Sequence, residues 1–168
     1  MIRQLLQLIA LFIMQVLVIN NLELSAYINP YIYPLIILSL PLNTARTTIL
    51  FYAFAVGLAM DFFCNTAGMH AAAMLWLAYM RPFIFKSLSP RSNINAEEML
   101  SVKSIGFTSF LYYSLILIFL HHFLYFFLEV FSFNQFFHTL LKIILSTFFS
   151  ALLVIITAIL FAPNKLRT

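Results

Sequence analysis

The chain has 168 residues, of which 64% are hydrophobic and only 8% are charged. Soluble globular domains contain about 45–50% apolar and about 25% charged residues, so this composition excludes an ordinary soluble domain. The net charge of +4 comes from basic residues scattered along the chain, which excludes the clustered basic face of a nucleic-acid-binding protein. We therefore expect an all-α polytopic membrane protein with a single membrane domain over residues 1–168.

Apolar runs that resemble membrane crossings follow one another along the chain, and one helical crossing takes roughly 20 residues. The first run, after Arg3, resembles a signal peptide, but it continues to Glu23 and further runs follow, so we interpret it as a retained first helix. The second run contains Pro30, Pro34 and Pro41, which predict a short, kinked or partly re-entrant segment. The predicted spans are 4–22, 28–42, 47–64, 68–86, 105–128 and 138–161.

The basic residues predict the orientation of these spans, because Lys and Arg concentrate in short cytoplasmic connections. With six crossings and both termini in the cytoplasm, only Lys142 lies outside. If the second segment does not cross, Lys165 and Arg167 move to the opposite side from Arg3 and the asymmetry weakens. We therefore predict six crossings with cytoplasmic termini. The basic residues that this topology places inside are Arg3, Arg46, Arg81, Lys86, Arg91, Lys103, Lys165 and Arg167.

The longest predicted connection, 87–104, is cytoplasmic in this topology. Asn95 followed by Glu98 forms a capping box, which predicts a short helix leading into the fifth span. A glutamate pair with a nearby arginine marks one group of intramembrane proteases, but Val102 stands where that arginine belongs, so Glu97 and Glu98 are interpreted as a solvated face.

Motifs of other enzyme classes are missing from the sequence, including His-Glu-x-x-His and Gly-x-Ser-x-Gly. Cys64 is the only cysteine, so neither an intramolecular disulfide nor a cysteine metal cluster can form. We expect no catalytic residues, no cofactor and no metal.

Asp61 is an ionisable residue inside the third predicted span, and such residues are costly there unless they are paired or functional. Gly57 lies one helical turn before it, which predicts a small-residue groove leading to the carboxylate. A short turn that contains Gly68 brings His70 close to Asp61. Asp61 is expected either to lock this turn by accepting hydrogen bonds from its amides and from His70, or to form a proton-handling pair with His70. We favour the locking role, because polar pairs inside membranes are more often structural.

His121, Tyr125 and Glu129 recur at steps of four near the end of the fifth predicted span, with His122 beside them. His121 and Glu129 are eight residues apart, about 12 Å along a helix, which is too far for a shared metal ion. We predict an interfacial belt with an extracytoplasmic contact surface.

The sixth predicted span carries one polar stripe at helical spacing. Exposure of this stripe to lipid would be costly, so it should face the bundle interior, with Lys142 paired to a carboxylate such as Glu129 or Asp61. The alternative is a ligand-binding cavity. The stripe consists of His138, Lys142, Ser146, Ser150 and Thr157.

The stretch from Gly57 to Asp61, followed by Gly68-Met69-His70-Ala71 and ending at Arg81-Pro82, resembles the signature region of the bacterial rod-shape-determining MreD family. The motif covers about 26 residues, while the resemblance in length and hydropathy covers the whole chain. The candidate interface residues are Gly57, Asp61, Gly68, His70, Arg81 and Pro82, with His121, Glu129, Lys142, Ser146 and Ser150 as secondary candidates.

The resemblance implies a non-catalytic scaffold subunit, in the bacterial inner membrane, of the machinery that directs lateral peptidoglycan synthesis. Its implied partners are MreC, the actin-like MreB, and the RodA polymerase with its class B penicillin-binding protein. They would meet a basic cytoplasmic face from Arg81 to Lys103 and an outer rim around Asp61, His70, His121 and Glu129. Partner helices would enter grooves such as the one at Gly57.

The MreD family also looks related to the six-helix substrate-binding subunits of energy-coupling-factor vitamin transporters. The alternative function is therefore a membrane subunit that binds a vitamin or another small molecule. Its pocket would be formed by the polar stripe of the sixth span and the aromatic residues of the fifth.

Overall fold

The computed structural model describes residues 2–21, 27–88, 97, 99–131 and 135–160, with side chains from residue 9 onward. These residues form helices and the connections between them, in agreement with the predicted all-α class. A single turn of 3-10 helix, Ile19–Asn21, follows the first helix. The α-helices are α1 (Ile2–Leu17), α2 (Leu35–Leu38), α3 (Arg46–Cys64), α4 (Met69–Leu88), α5 (Val102–Ile105), α6 (Phe107–Val130) and α7 (Phe136–Leu160).

The long helices pack in the order α3, α4, α6 and α7, each against the next. At one end of this bundle α3 and α6 finish while α4 and α7 begin, and we call this the Asp61 end. The large side chains of the core, such as Tyr33, Met74 and Leu117, are fully buried among these helices. Of the described helices, three are long and apolar enough to cross a membrane, namely α3, α6 and α7.

Residues 28–42 do not form a proline-kinked transmembrane helix, and this corrects the prediction for the second span. Only Leu35–Leu38 is α-helical. Pro34 occupies the N-cap of that helix and Pro41 follows its end, so the missing proline amides and the fixed proline backbone confine the helix to one turn. The rest of the segment is extended or turned, and it is buried from Pro30 to Leu38.

The connection before α6 has a capping box, but at a different place from the predicted one. Ser101 caps the four-residue helix α5, and its side chain and that of Ser104 each accept a backbone N–H of the other residue. Residues 99–101 are not helical, so α5 begins at Val102. The predicted cap residues Asn95 and Glu98 lie outside the described residues.

A four-residue turn joins α3 to α4 at the Asp61 end. Asn65 ends α3 in the left-handed conformation, with φ 54° and ψ 43°, and its N–H donates to the carbonyl of Asp61. Gly68, at φ +83°, redirects the chain into α4. Asn and Gly tolerate left-handed geometry better than other residues, which is why this sequence can reverse direction so abruptly.

Candidate functional site

Asp61 locks the α3–α4 turn. Its Oδ1 accepts hydrogen bonds from the hydroxyl of Thr66 at 2.5 Å and the backbone N–H of His70 at 3.0 Å. Its Oδ2 accepts from the N–H of Ala71 at 2.9 Å. The amides at the start of a helix lack partners within that helix, so the carboxylate satisfies two of them in α4. The hydrogen bonds expected from the locking role are therefore present, and it is the backbone of His70 that takes part.

Gly57 permits the close approach of α3 and α4. A Cβ atom at this position would lie 2.5 Å from the Cα of Ala71 and 2.8 Å from the carbonyl oxygen of His70. Both are backbone atoms, so they cannot move aside as a side chain can. The groove at Gly57 is thus filled by α4 of the same chain, which corrects the prediction that it receives a partner helix.

The segment from Asn29 to Leu40, which we call the buried segment, is held by polar side chains of the helices around it. The N–H of Asn29 donates to Ser146 Oγ at 3.0 Å, and the N–H of Tyr31 donates to Ser150 Oγ at 2.8 Å. Ser146 and Ser150 are four residues apart on α7, a rise of about 6.0 Å. Asn29 and Tyr31 are two residues apart, which in extended chain is a rise of about 6.6 Å, so each amide lies opposite one serine. On the other side Gln15 Oε1 accepts the N–H of Ile32 at 2.6 Å.

The polar stripe of α7 faces the interior as predicted at Ser146, Ser150 and Thr157, which are buried, but not at His138. Its serines bind the chain's own backbone, at the amides of Asn29 and Tyr31. Lys142 Nζ lies 2.7 Å from Glu129 Oε2, the first of the two expected carboxylate partners. His138 is exposed and stacks with Tyr27.

Tyr33 bridges two buried histidines. Its hydroxyl lies 2.8 Å from His70 Nδ1 and 2.6 Å from His121 Nε2. The ring of Tyr125 stacks on that of His70 with centroids 4.4 Å apart, and Tyr31 contacts both histidines edge-on. We call this group the tyrosine–histidine cluster: Tyr31, Tyr33, His70, His121, His122 and Tyr125.

The chemistry of this bridge follows from counting protons. A tyrosine hydroxyl has one proton, and a neutral imidazole has one N–H and one lone pair. Tyr33 therefore donates to one histidine and accepts from the other, which gives two arrangements. In both, one of the outer nitrogens, His70 Nε2 and His121 Nδ1, carries a proton and the other carries a lone pair. Both atoms are buried without a hydrogen-bond partner among the described residues.

The predicted extracytoplasmic belt is not a surface. His121 and His122 are fully buried and Tyr125 is almost so, because α6 turns this face toward segment 29–33 and α4. His122 is held by the carbonyl of Ile118 at 2.8 Å and by Ser150 Oγ at 3.1 Å. Among these residues and Glu129, only Glu129 is exposed.

The predicted outer rim is likewise interior at Asp61 and His70, since both are enclosed by the α3–α4 turn and the cluster. Arg81 is also buried rather than part of a basic cytoplasmic face. Its Nε donates to Tyr113 Oη at 2.9 Å, and its guanidinium also donates to the carbonyl of Leu40. Tyr113 in turn donates to the carbonyl of Leu38 at 3.1 Å. Carbonyls at the end of the buried segment are thereby satisfied, which is why this cation lies inside.

Pro82 follows Arg81 within α4 and is exposed. It removes one hydrogen bond of the helix at a place where the side chain can face outward.

The sequence interpretation missed Gln15, Tyr31, Tyr33 and Tyr113. Two signals could have found some of them. Gln15 is a polar residue in the middle of the first apolar run, and Tyr31 and Tyr33 recur at a step of two, the period of extended chain.

Within the described part of the chain, no three His, Cys, Asp or Glu side chains are placed to hold a metal ion. Comparison of the chain with protein-family models, curated proteins and solved structures gives no significant match.

Proposed function

We propose that this protein is a non-catalytic scaffold subunit of the bacterial rod-shape and elongation machinery, of the MreD type. The observation that supports this most is the α3–α4 turn. Gly57, Asp61, Gly68 and His70 carry the resemblance, and they form one continuous structural unit. Each acts on the backbone geometry of the hairpin, which suits a rigid scaffold.

The proposal includes a topology of six crossings with both termini in the cytoplasm. Its support is the buried segment, which contacts Ser146 near the middle of α7 and Tyr113 toward the start of α6, far from the Asp61 end. His121 and Tyr113, which contact successive parts of this segment, are eight residues apart, about 12 Å along α6. Backbone that is not helical is tolerated at membrane depth only where protein encloses it, and this segment is enclosed.

In this mechanism the bundle holds its partners in fixed positions across the inner membrane. The proposed partners are MreC, MreB, RodA and the class B penicillin-binding protein. Because several of the predicted contact residues are buried, partner surfaces are proposed on the exposed apolar faces of the long helices, such as Phe62 on α3 and Phe148 on α7.

The test is detergent purification of the tagged protein from its native host, with its partners identified by mass spectrometry. An unrelated tagged polytopic protein from the same membrane is the control. We expect MreC and wall-synthesis proteins to be enriched over that control. Recovery of transporter ATPases or of a stoichiometric small molecule, without MreC, would support the vitamin-transporter alternative and contradict the scaffold.

A further inference from the structure

A polar cleft of about 480 Å³ opens at the Asp61 end of the bundle. This volume falls within the range of roughly 300–1,000 Å³ that is usual for small-molecule sites. Tyr31 and Tyr125 of the tyrosine–histidine cluster form part of its wall. The side chains with oxygen or nitrogen atoms that line it are Asn20, Asn21, Asn29, Tyr31, Thr66, Tyr125 and Glu129.

Several of these side chains direct their donor groups at the protein itself. Asn20 Nδ2 donates to Cys64 Sγ at 3.3 Å. Asn21 Nδ2 donates to the carbonyl of Leu17 at 2.8 Å and to that of Val16 at 3.5 Å. The hydroxyl of Thr66 donates to Asp61. The hydrogen-bonding capacity that remains on Asn21 and Thr66 therefore consists of oxygen lone pairs, so at these two residues a ligand has to supply the donor.

The charge and the rings of the cleft favour the same ligand chemistry. Glu129 is the charged side chain among the described lining residues, and a carboxylate only accepts hydrogen bonds. Aromatic faces carry the negative part of the ring quadrupole and attract cations, and the rings here are those of Tyr31, Tyr125 and Phe63. Lys142 already places an ammonium group between this carboxylate and an aromatic ring. Its Nζ lies 2.7 Å from Glu129 Oε2 and 4.6 Å from the centre of the Phe126 ring.

We propose that this cleft binds a small organic ammonium ligand through Glu129, the side-chain oxygens of Asn21 and Thr66, and the aromatic rings that line it. The site goes beyond the proposed scaffold function, because a scaffold needs no ligand.

The experiment uses the full-length protein in detergent and isothermal titration with three sugars of equal ring size. Glucosamine carries an ammonium group, glucose is neutral and glucuronate is an anion. We expect glucosamine to bind at least about tenfold more tightly than glucose, which corresponds to about 1.4 kcal/mol, and glucuronate not to bind. Ethanolamine against ethylene glycol repeats the comparison with a smaller pair.

Two variants of the ion pair should act in opposite directions. Glu129→Gln should weaken glucosamine binding at least about tenfold, because it removes the carboxylate. Lys142→Met should strengthen it, because the competing ammonium group is gone. Glu129 lies at the exposed end of α6, and the helical content and thermal midpoint of each variant establish that it is folded. Bound glucosamine should also slow alkylation of Cys64, which lines the cleft.

The proposal is overturned if neither amine binds at concentrations up to about 10 mM, a weaker affinity than most specific sites show. Equal binding of glucosamine and glucose would mean that the cleft recognises hydroxyl groups. Binding that Glu129→Gln leaves unchanged, without protection of Cys64, would place the amine elsewhere. None of these results affects whether MreC co-purifies with the protein, so the scaffold proposal is tested independently of this site.

Discussion

Asp61 satisfies three donors with one carboxylate, and this determines what its replacements do. Asparagine keeps one acceptor oxygen but turns an N–H₂ group toward a buried donor, whereas leucine leaves all three donors without an acceptor. Each buried donor left unsatisfied costs about 1–3 kcal/mol. We expect Asp61→Asn to lower the free energy of unfolding by about that amount, and Asp61→Leu to lower it more.

Unfolding in mixed detergent and SDS micelles, followed by circular dichroism, measures this difference. Thr66→Val is the matched control, because it removes one donor of the three and should cost least. Equal loss of function in both Asp61 variants at unchanged protein level would contradict the locking role and favour the proton-handling pair.

Tyr33 offers a second test at the level of one atom. Tyr33→Phe removes the hydroxyl between His70 Nδ1 and His121 Nε2, and two more buried nitrogens lose their partner. We expect a loss of about 1–3 kcal/mol in unfolding free energy. Tyr112→Phe, at an exposed position of α6, should have no measurable effect. A stable Tyr33→Phe protein would mean that the bridge does not contribute to the fold.

Single residues could be placed from the sequence only where their partners are near in the chain. The contact of Asp61 with the amide of His70 spans nine residues, and helix periodicity together with a short turn was enough to predict it. The contact of Tyr33 with His121 spans 88 residues, and nothing in the local pattern of either residue specifies the other. A spacing of four residues on a helix shows which side chains share a face, but it does not show whether that face is buried or exposed. The spacing of His121, Tyr125 and Glu129 therefore predicts a shared face without predicting that His121 is buried.

At the scale of elements, the spacing of α3 and α4 is set by Gly57. Gly57→Leu should separate these helices, because the new side chain meets the backbone of α4. Overpacking costs typically about 1–3 kcal/mol, and here no side chain can move to relieve it. Ala55→Leu adds the same side chain to an exposed position of α3 and should be tolerated.

Thermal midpoints of the two variants in detergent measure this comparison. Because the groove is internal, Gly57→Leu should lower stability rather than remove one particular partner. If Gly57→Leu has wild-type stability but no longer co-purifies with MreC, the groove at Gly57 would instead be a binding site for a partner helix.

The buried segment depends on α7 for its backbone hydrogen bonds. In the double variant Ser146→Ala and Ser150→Ala, the amides of Asn29 and Tyr31 lose their acceptors. We expect faster amide hydrogen exchange in residues 29–33, measured by mass spectrometry on the protein in detergent. Ser114→Ala is the matched control, because this buried serine donates to the carbonyls of its own helix. An unchanged rate of amide exchange in the double variant would contradict the conclusion that these serines hold the backbone of the buried segment.

Long apolar runs in the sequence located the long helices, because a helix is the main structure available to such a run inside a membrane. It failed for residues 28–42. The prolines there exclude a regular helix, but the sequence does not state which neighbours replace the missing hydrogen bonds. Those neighbours lie on α1, α4, α6 and α7, far from the segment in the sequence.

At the scale of the whole molecule, the proposed topology can be tested with reporter fusions. A fluorescent protein fused after Thr168 should fold in the cytoplasm, and alkaline phosphatase inserted after Gln135 should be active outside. If residues 28–42 do not cross, these two outcomes exchange places while a fusion to the N-terminus stays cytoplasmic. The fusion after Thr168 therefore decides between six crossings and five.

The buried segment also has a consequence for biosynthesis. Its amides at Asn29 and Tyr31 bind serines that are made 117 and 119 residues later. At about 5–20 residues per second, the ribosome needs roughly 6–24 s to synthesise those serines. In the proposed topology the segment cannot enter lipid alone during that interval, since its non-helical backbone would have no hydrogen-bond partners there. We therefore expect the segment to stay in a polar environment until α7 emerges, and a nascent chain released before that point to leave an N-terminal fragment that does not mature.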